Sequence, residues 1–171
     1  MAEIEIGNAK YETIDDKTAS AETIDQCSET TFQKTVKIEG KEYTVTRLGW
    51  ACYVKNIPDS VTSIGKLLGC SNISIPDSVT SIGDINNCSN ISIPDSVTSI
   101  GDIYNCSNIS IPDSVTSIGR LSNCSNISIP DSITMLNGIY RSTLTIPASV
   151  TTITEIDGEN GTLFLRMESA I

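Results

Sequence analysis

The side chains with chemical potential recur at fixed intervals. Cys52, Cys70, Cys88, Cys106 and Cys124 stand 18 residues apart, and Asp59, Asp77, Asp95, Asp113 and Asp131 keep the same step. Thiolates at short spacing bind soft metals or pair as disulfides, and clustered carboxylates bind calcium. Hydroxyls abound as well, but a Ser or Cys nucleophile needs a base, and the chain has no His. No phosphate-cradling glycine loop is present, and the carboxylates recur as copies of one motif rather than as one distinctive pair. The expectation is a chain without catalysis and without a cofactor.

Each column also has a plainer structural reading. Zinc sites use close cysteine pairs, often with His, so the five register-matched cysteines read as a buried, reduced structural ladder. Stacked coils place neighbouring Cα atoms about 4.8 Å apart, inside the disulfide window, but parallel in-register side chains rarely reach the needed dihedral. Cys27 lies outside the series and is the one thiol expected at the surface. The aspartate column costs about 1 kcal/mol per neighbouring pair at about 5 Å in water. Calcium at Asp77, Asp95 and Asp113 would relieve that repulsion; the alternative is solvated turn residues capping their own backbone. Lys66, Asp84, Asp102 and Arg120 bring opposite charges together at both ends of a variable column, a register device of small energetic value. Asn72, Asn90, Asn108 and Asn126 begin NIS triplets and Asn160 begins NGT, all glycosylation sequons. A repeated Asn is also explained by amides hydrogen-bonding along a stack.

The elements that position these side chains follow from one repeat. Pro58, Pro76, Pro94, Pro112 and Pro130 are 18 residues apart and Pro147 follows after 17. The unit is CSNISIPDSVTSIG plus four variable residues, starting at Cys52, Cys70, Cys88, Cys106 and Cys124, with a degenerate copy near Ser142 that loses one residue. In ISI the alternation predicts a very short strand with both Ile inward and Ser74, Ser92, Ser110 and Ser128 outward. Pro-Asp-Ser is turn chemistry, and the Gly closing VTSIG predicts another corner. One coil cannot fold alone: about five apolar side chains contribute roughly 1.5–3 kcal/mol each, against roughly 1–2 kcal/mol per residue to order eighteen backbones. Stacking is therefore obligatory, and both ends need caps. Residues 32–47 read as a hairpin turning at Glu39 and Gly40, with Val36, Ile38, Tyr43 and Val45 on one face. Residues 162–167 read as a closing strand after the loop at 157–161. The fold class expected is mainly β: a right-handed leucine-rich-repeat β-solenoid with short parallel strands, an N-terminal β cap over 1–51, repeats over 52–154 and a C-terminal cap over 155–171.

With 171 residues, one solenoid with its caps accounts for the chain. A net charge of −10 disfavours nucleic acid and anionic membrane as partners, because both need clustered cations. Charges at Glu3, Glu5, Lys10, Glu12, Asp15 and Asp16 leave no apolar run for a signal peptide, and no later segment reaches membrane-spanning length, so the chain reads as cytoplasmic.

The IPDSVTSIG core, preceded by a cysteine and a short strand, resembles the BspA type of leucine-rich repeat. The resemblance runs from Val36 to about Ile153, and the segment VKIEGKEYTVTRLGWACY is similar to the way such arrays begin. The units here are shorter than is usual, after the Cys and after the Gly. The resemblance implies a cell-surface adhesion protein. A protein-interaction or adhesion module is therefore expected, its partner a protein contacting the short-strand face and the variable segments at 66–69, 84–87, 102–105, 120–123 and 138–141. Tyr104 and Tyr140 are the expected anchors. Two alternatives are a structural spacer or end-to-end self-assembling subunit, and a binder of a periodic surface such as glycan, mineral or ice.

Overall fold

The computed structural model describes residues 1–26 and 28–156, none of them helical. Cys27, the closing strand at 162–167, the loop before it and Asn160 lie outside the described residues, as does all of the expected C-terminal cap after residue 156.

The chain is a β-solenoid. Its longest sheet begins with a meander of β1 (Glu3–Ile6), β2 (Ala9–Thr13) and β3 (Thr18–Thr23), antiparallel to one another. Sequence reading placed this segment in the N-terminal β cap over 1–51 without assigning its strands; Ala9, Tyr11, Ala19 and Ala21 are buried in the common core. The hairpin β4 (Thr35–Ile38) to β5 (Lys41–Cys52) is as expected, with Thr35 opposite Thr44 and Ile38 opposite Lys41. Glu39 and Gly40 turn it with φ of 52° and 83°, the paired positive values of a type I′ hairpin. β3 then pairs in parallel with β5, so the meander continues the sheet and covers the end of the stack.

From β5 onward every pairing is parallel. β6 (Ser63–Leu68) and β7 (Ser81–Asn86) follow, with Ile64 beside Ile82 and Leu67 beside Ile85. The same wall continues through Ile103–Tyr104, Arg120–Ser122 and Gly138–Tyr140. A second wall, from ISI, pairs Ser89–Ser92, Ser107–Ser110, Ser125–Ser128 and Thr143–Thr145. Between the walls each coil buries the same set, in one coil Val79, Ile82, Ile85, Cys88, Ile91 and Ile93.

The register moves the first repeat. Leu48 pairs with Ile64 and Cys52 with Leu68, a step of 16, whereas Ile64 to Ile82 is a step of 18. TRLGWACY is thus the first copy of the wall strand, and the stack begins within β5 rather than at Cys52. The sixth copy pairs Ser125 with Thr143 but Ser128 with Thr145, so its missing residue is the counterpart of Asn126.

Each coil is closed in the same way. In the Pro-Asp-Ser-Val turn the amide three residues on returns to the proline carbonyl, as from Val79 to Pro76 at 3.0 Å and Val97 to Pro94 at 3.0 Å. The turn serine then donates to the carbonyl that opens its coil: Ser78 to Val61 at 2.7 Å, Ser96 to Val79 at 2.6 Å and Ser114 to Val97 at 2.8 Å. The serine, and not the aspartate, makes the side-chain tie.

The glycine that closes VTSIG does not make a corner. Gly65, Gly83, Gly101 and Gly119 lie along the large wall without positive φ; a Cβ on Gly83 would meet the Gly65 carbonyl oxygen at 2.0 Å. These glycines serve close backbone approach. Sharp corners instead use asparagine in the left-handed region, with φ of 52° at Asn87, 54° at Asn90, 52° at Asn105 and 54° at Asn108. Asparagine tolerates that conformation better than other side chains.

Candidate functional site

The expected site residues divide between the two walls and do not converge. Ser74, Ser92, Ser110 and Ser128 are exposed on the ISI wall, in register with one another. Beside them run the corner asparagines, whose amides bond along the stack: Asn90 to Asn72 at 3.2 Å, Asn108 to Asn90 at 3.0 Å, then Asn126 to Asn108. A second asparagine column, absent from the sequence reading, adds Asn123 to Asn105 at 3.1 Å. Shallow grooves follow this wall, one lined by Asn72, Ser74, Asp77, Asn90 and Ser92, another by Asp113, Asn126, Ser128 and Asp131.

Asp77, Asp95 and Asp113 are exposed at the turn. Among the described residues no three His, Cys, Asp or Glu side chains come together as metal ligands. Asp59 is paired with Lys34 at 2.7 Å.

Lys66, Asp84, Asp102, Tyr104, Arg120 and Tyr140 belong to the large wall. The variable segments largely continue the wall strands. Trp50, Lys66, Asp84, Asp102 and Arg120 follow one another from coil to coil just after the glycines, and Leu68, Asn86, Tyr104, Ser122 and Tyr140 form the next outward column. The charges do not pair as expected. Lys66 Nζ lies 5.6 Å from the centroid of the Trp50 ring, a cation–π distance. Asp84 and Asp102 turn their carboxylates onto backbone, Asp84 Oδ1 accepting the Asp102 amide at 3.2 Å and Asp102 Oδ1 the Arg120 amide at 2.7 Å. Two strands of the large wall are interrupted there, into Ser99–Ile100 with Ile103–Tyr104 and Ser117–Ile118 with Arg120–Ser122. The Tyr104 hydroxyl donates to Asp102 at 2.6 Å, which raises its pKa.

Trp50 and Tyr53 are the aromatic residues of this wall that sequence reading missed; each is 46% exposed. Trp50 becomes visible once GW at 49–50 is aligned with GK at 65–66. Tyr140 folds over Gly138, where a Cβ would meet its ring at 2.7 Å.

The cysteine column differs by one member from expectation. Cys52 stands beside Leu68 and its amide donates to Thr23 Oγ1 at 3.0 Å. Tyr53 donates to Leu68 as Asn87 donates to Tyr104, so Val54 holds the first rung. Cys70, Cys88, Cys106 and Cys124 are reduced and buried in line, and Ser142 ends the row. Each thiol donates to the carbonyl two residues back, Cys88 to Asn86 at 3.2 Å and Cys106 to Tyr104 at 3.0 Å. Ser142 copies this to Tyr140 at 2.8 Å. Contact with Cys106, followed by burial, holds the Cys88 thiol up at about 11, while its bond from Cys88 lowers Cys106. Burial raises Cys124.

No protein-family model matches the chain, and no curated protein matches it. Two solved structures are similar to it. A leucine-rich repeat protein from Bacteroides ovatus is 19% identical, with a TM-score of 0.43, covering 88% of this chain and 60% of that one. The chain thus spans three fifths of that protein. A leucine rich cell surface protein from Faecalibacterium prausnitzii is 13% identical, with a TM-score of 0.31, covering 94% of this chain and 96% of that one.

Proposed function

We propose that the chain is a non-catalytic protein-interaction or adhesion module that recognises its partner with the outward columns of the large wall. One observation carries this reading: substitutions between otherwise near-identical coils collect on two adjacent outward columns of one wall. An asymmetric partner can tell one coil from the next only where coils differ. Trp50, with Lys66 over its ring and half its surface exposed, is the anchor of the kind that dominates protein interfaces. Tyr104 and Tyr140 extend the same columns. A cell-surface location fits the adhesive role that the repeat's resemblance implies.

The uniform ISI wall favours a second reading, a binder of periodic surfaces, because its Asn, Ser and Asp columns present the same groups at every coil and line shallow grooves. One experiment separates the two. The purified chain is applied to immobilised matrix proteins and to insoluble polysaccharides, alongside Trp50→Ala/Lys66→Ala and Ser74→Ala/Ser92→Ala variants. The interaction reading expects retention on a protein that the first variant loses by about tenfold or more and the second keeps. Loss confined to the serine variant, or retention on polysaccharide alone, overturns it.

A further inference from the structure

The row of thiols has no part in either wall's outward surface. Cys70, Cys88, Cys106 and Cys124 are reduced, buried and repeated by translation along the stack. We infer that this row binds soft monovalent cations of the copper(I) class, each held linearly between the sulfurs of two successive coils.

Span is the first argument. In-register strands repeat at about 4.8 Å, and two metal–thiolate bonds of about 2.3 Å laid end to end cover about 4.6 Å. A linear bridge therefore fits between neighbouring sulfurs with the backbone in place. It also has no torsional preference about its own axis, so side chains pointing the same way suit it. A disulfide would need the sulfurs at about 2.05 Å and a dihedral near 90°.

Donors already face the sulfurs. The Cys70 amide donates to Cys88 Sγ at 3.4 Å and the Cys88 amide to Cys106 Sγ at 3.4 Å. Hydrogen bonds of this kind favour the thiolate. Losing the thiol proton orphans nothing, because the carbonyls that receive it have other donors: Asn86 accepts the Gly69 amide at 2.9 Å and Tyr104 the Asn87 amide at 3.0 Å.

Coordination number follows from the ligand set. Among the described residues no three ligating side chains converge, which suits a two-coordinate ion, and thiolate softness selects copper(I) over harder cations. Filling adjacent intervals would force one sulfur to hold two cations on opposite sides at a straight angle, which thiolate does not favour. Each cation thus takes two thiols, and four thiols take two cations. On binding, two thiol protons leave per cation, one positive charge enters and the pair keeps one negative charge, which the amide donors face. No electrons move.

The test is an anaerobic titration of the reduced chain with copper(I) against a chromophoric copper(I) chelator, in a Cys27→Ser/Cys52→Ser background. Serine is tolerated in this column, since Ser142 accepts the Cys124 amide at 3.0 Å. The background chain should retain two equivalents. Two further variants keep equal numbers of thiols: Cys70→Ser/Cys88→Ser leaves neighbours Cys106 and Cys124, while Cys70→Ser/Cys106→Ser leaves Cys88 and Cys124 two coils apart. The first should retain one equivalent and the second should bind about a hundredfold more weakly, having lost the second ligand. Equal retention by the two variants, or uptake that accompanies loss of the β circular dichroism signal, overturns the inference.

Discussion

Replacing Gly83 with alanine tests the stacked-coil geometry at its tightest point. Gly83 lies within β7 opposite Gly65, and an added Cβ would stand 2.0 Å from the Gly65 carbonyl oxygen and 3.0 Å from its carbon. Carbon and carbonyl oxygen rest at about 3.3 Å or more, so the two coils must part by about 1.3 Å. Both atoms in conflict belong to backbone, so no rotamer change relieves them. Overpacking costs about 1–3 kcal/mol, and a conflict between fixed backbones belongs at the upper end, about 3 kcal/mol. In a chain of this size that lowers the melting temperature by about 6–12 °C. The control is Gly40→Ala, where nothing lies within 4 Å but φ is 83°; its cost is conformational, about 1 kcal/mol. Thermal melts followed by far-ultraviolet circular dichroism read both. If Gly83→Ala melts within about 2 °C of the parent, or above Gly40→Ala, the close-approach account of the glycine column is wrong.

Three further outcomes are expected. With its thiol held up at about 11 against an ordinary 9.0, Cys88 binds its proton more tightly folded than unfolded. Its contribution is therefore full below pH 9 and is lost as pH rises through about 11; the urea midpoint should drop across that window by less in Cys88→Ser than in the parent. Asn108→Ala should cost about 1–2 kcal/mol through its left-handed backbone and two lost amide bonds, with Asn108→Gly intermediate in urea denaturation because it recovers the backbone part. Ser96→Ala should cost about 1 kcal/mol by cutting the tie to Val79, while Ser92→Ala stays within about 0.5 kcal/mol of the parent; a reversed order in urea midpoints would reassign the two serine columns.

Periodicity made the coil legible because the inward residues repeat without exception: one pattern of Val, Ile and Cys predicts one buried set. The hairpin at Glu39 and Gly40 was legible for the same reason, an alternating face on each side of a glycine turn. What failed to show was whatever depends on contacts between coils. Cys52 matches the repeat in letters, but the first coil is two residues shorter, so pairing places Val54 where the alignment places a cysteine. Glycine reads alike whether it turns a corner or lies under a neighbour's carbonyl, and φ at Asn87 and Asn90 shows which residue turns. The opposite charges at Lys66 and Asp84 suggested pairing, yet Trp50 offers Lys66 an aromatic face and Asp84 finds a backbone amide. The meander over β1–β3 has small or scattered apolar residues, and its role emerges only from β3 pairing with β5.

These contacts explain why variation is confined to one strip of the surface. Within a coil the apolar residues fill the core, the turn serine closes the loop and the asparagines hold left-handed corners. The glycine must lack a side chain, and the cysteine accepts an amide from the coil before it. Threonine is held too, since the amides of Thr80 and Thr98 donate to the carbonyls of Thr62 and Thr80 at 2.9 and 3.1 Å and the Thr80 hydroxyl adds a bond at 3.2 Å. A change at any of these positions breaks a contact with a neighbouring coil, and in a stack each coil is stabilised through such neighbours. The outward positions at 66 and 68, 84 and 86, 102 and 104, and 120 and 122 carry far less of that burden. Even there Asp84 and Asp102 have been drawn into backbone capping, which leaves Trp50, Lys66 and Arg120 as the side chains of these columns on which the proposed recognition chiefly rests.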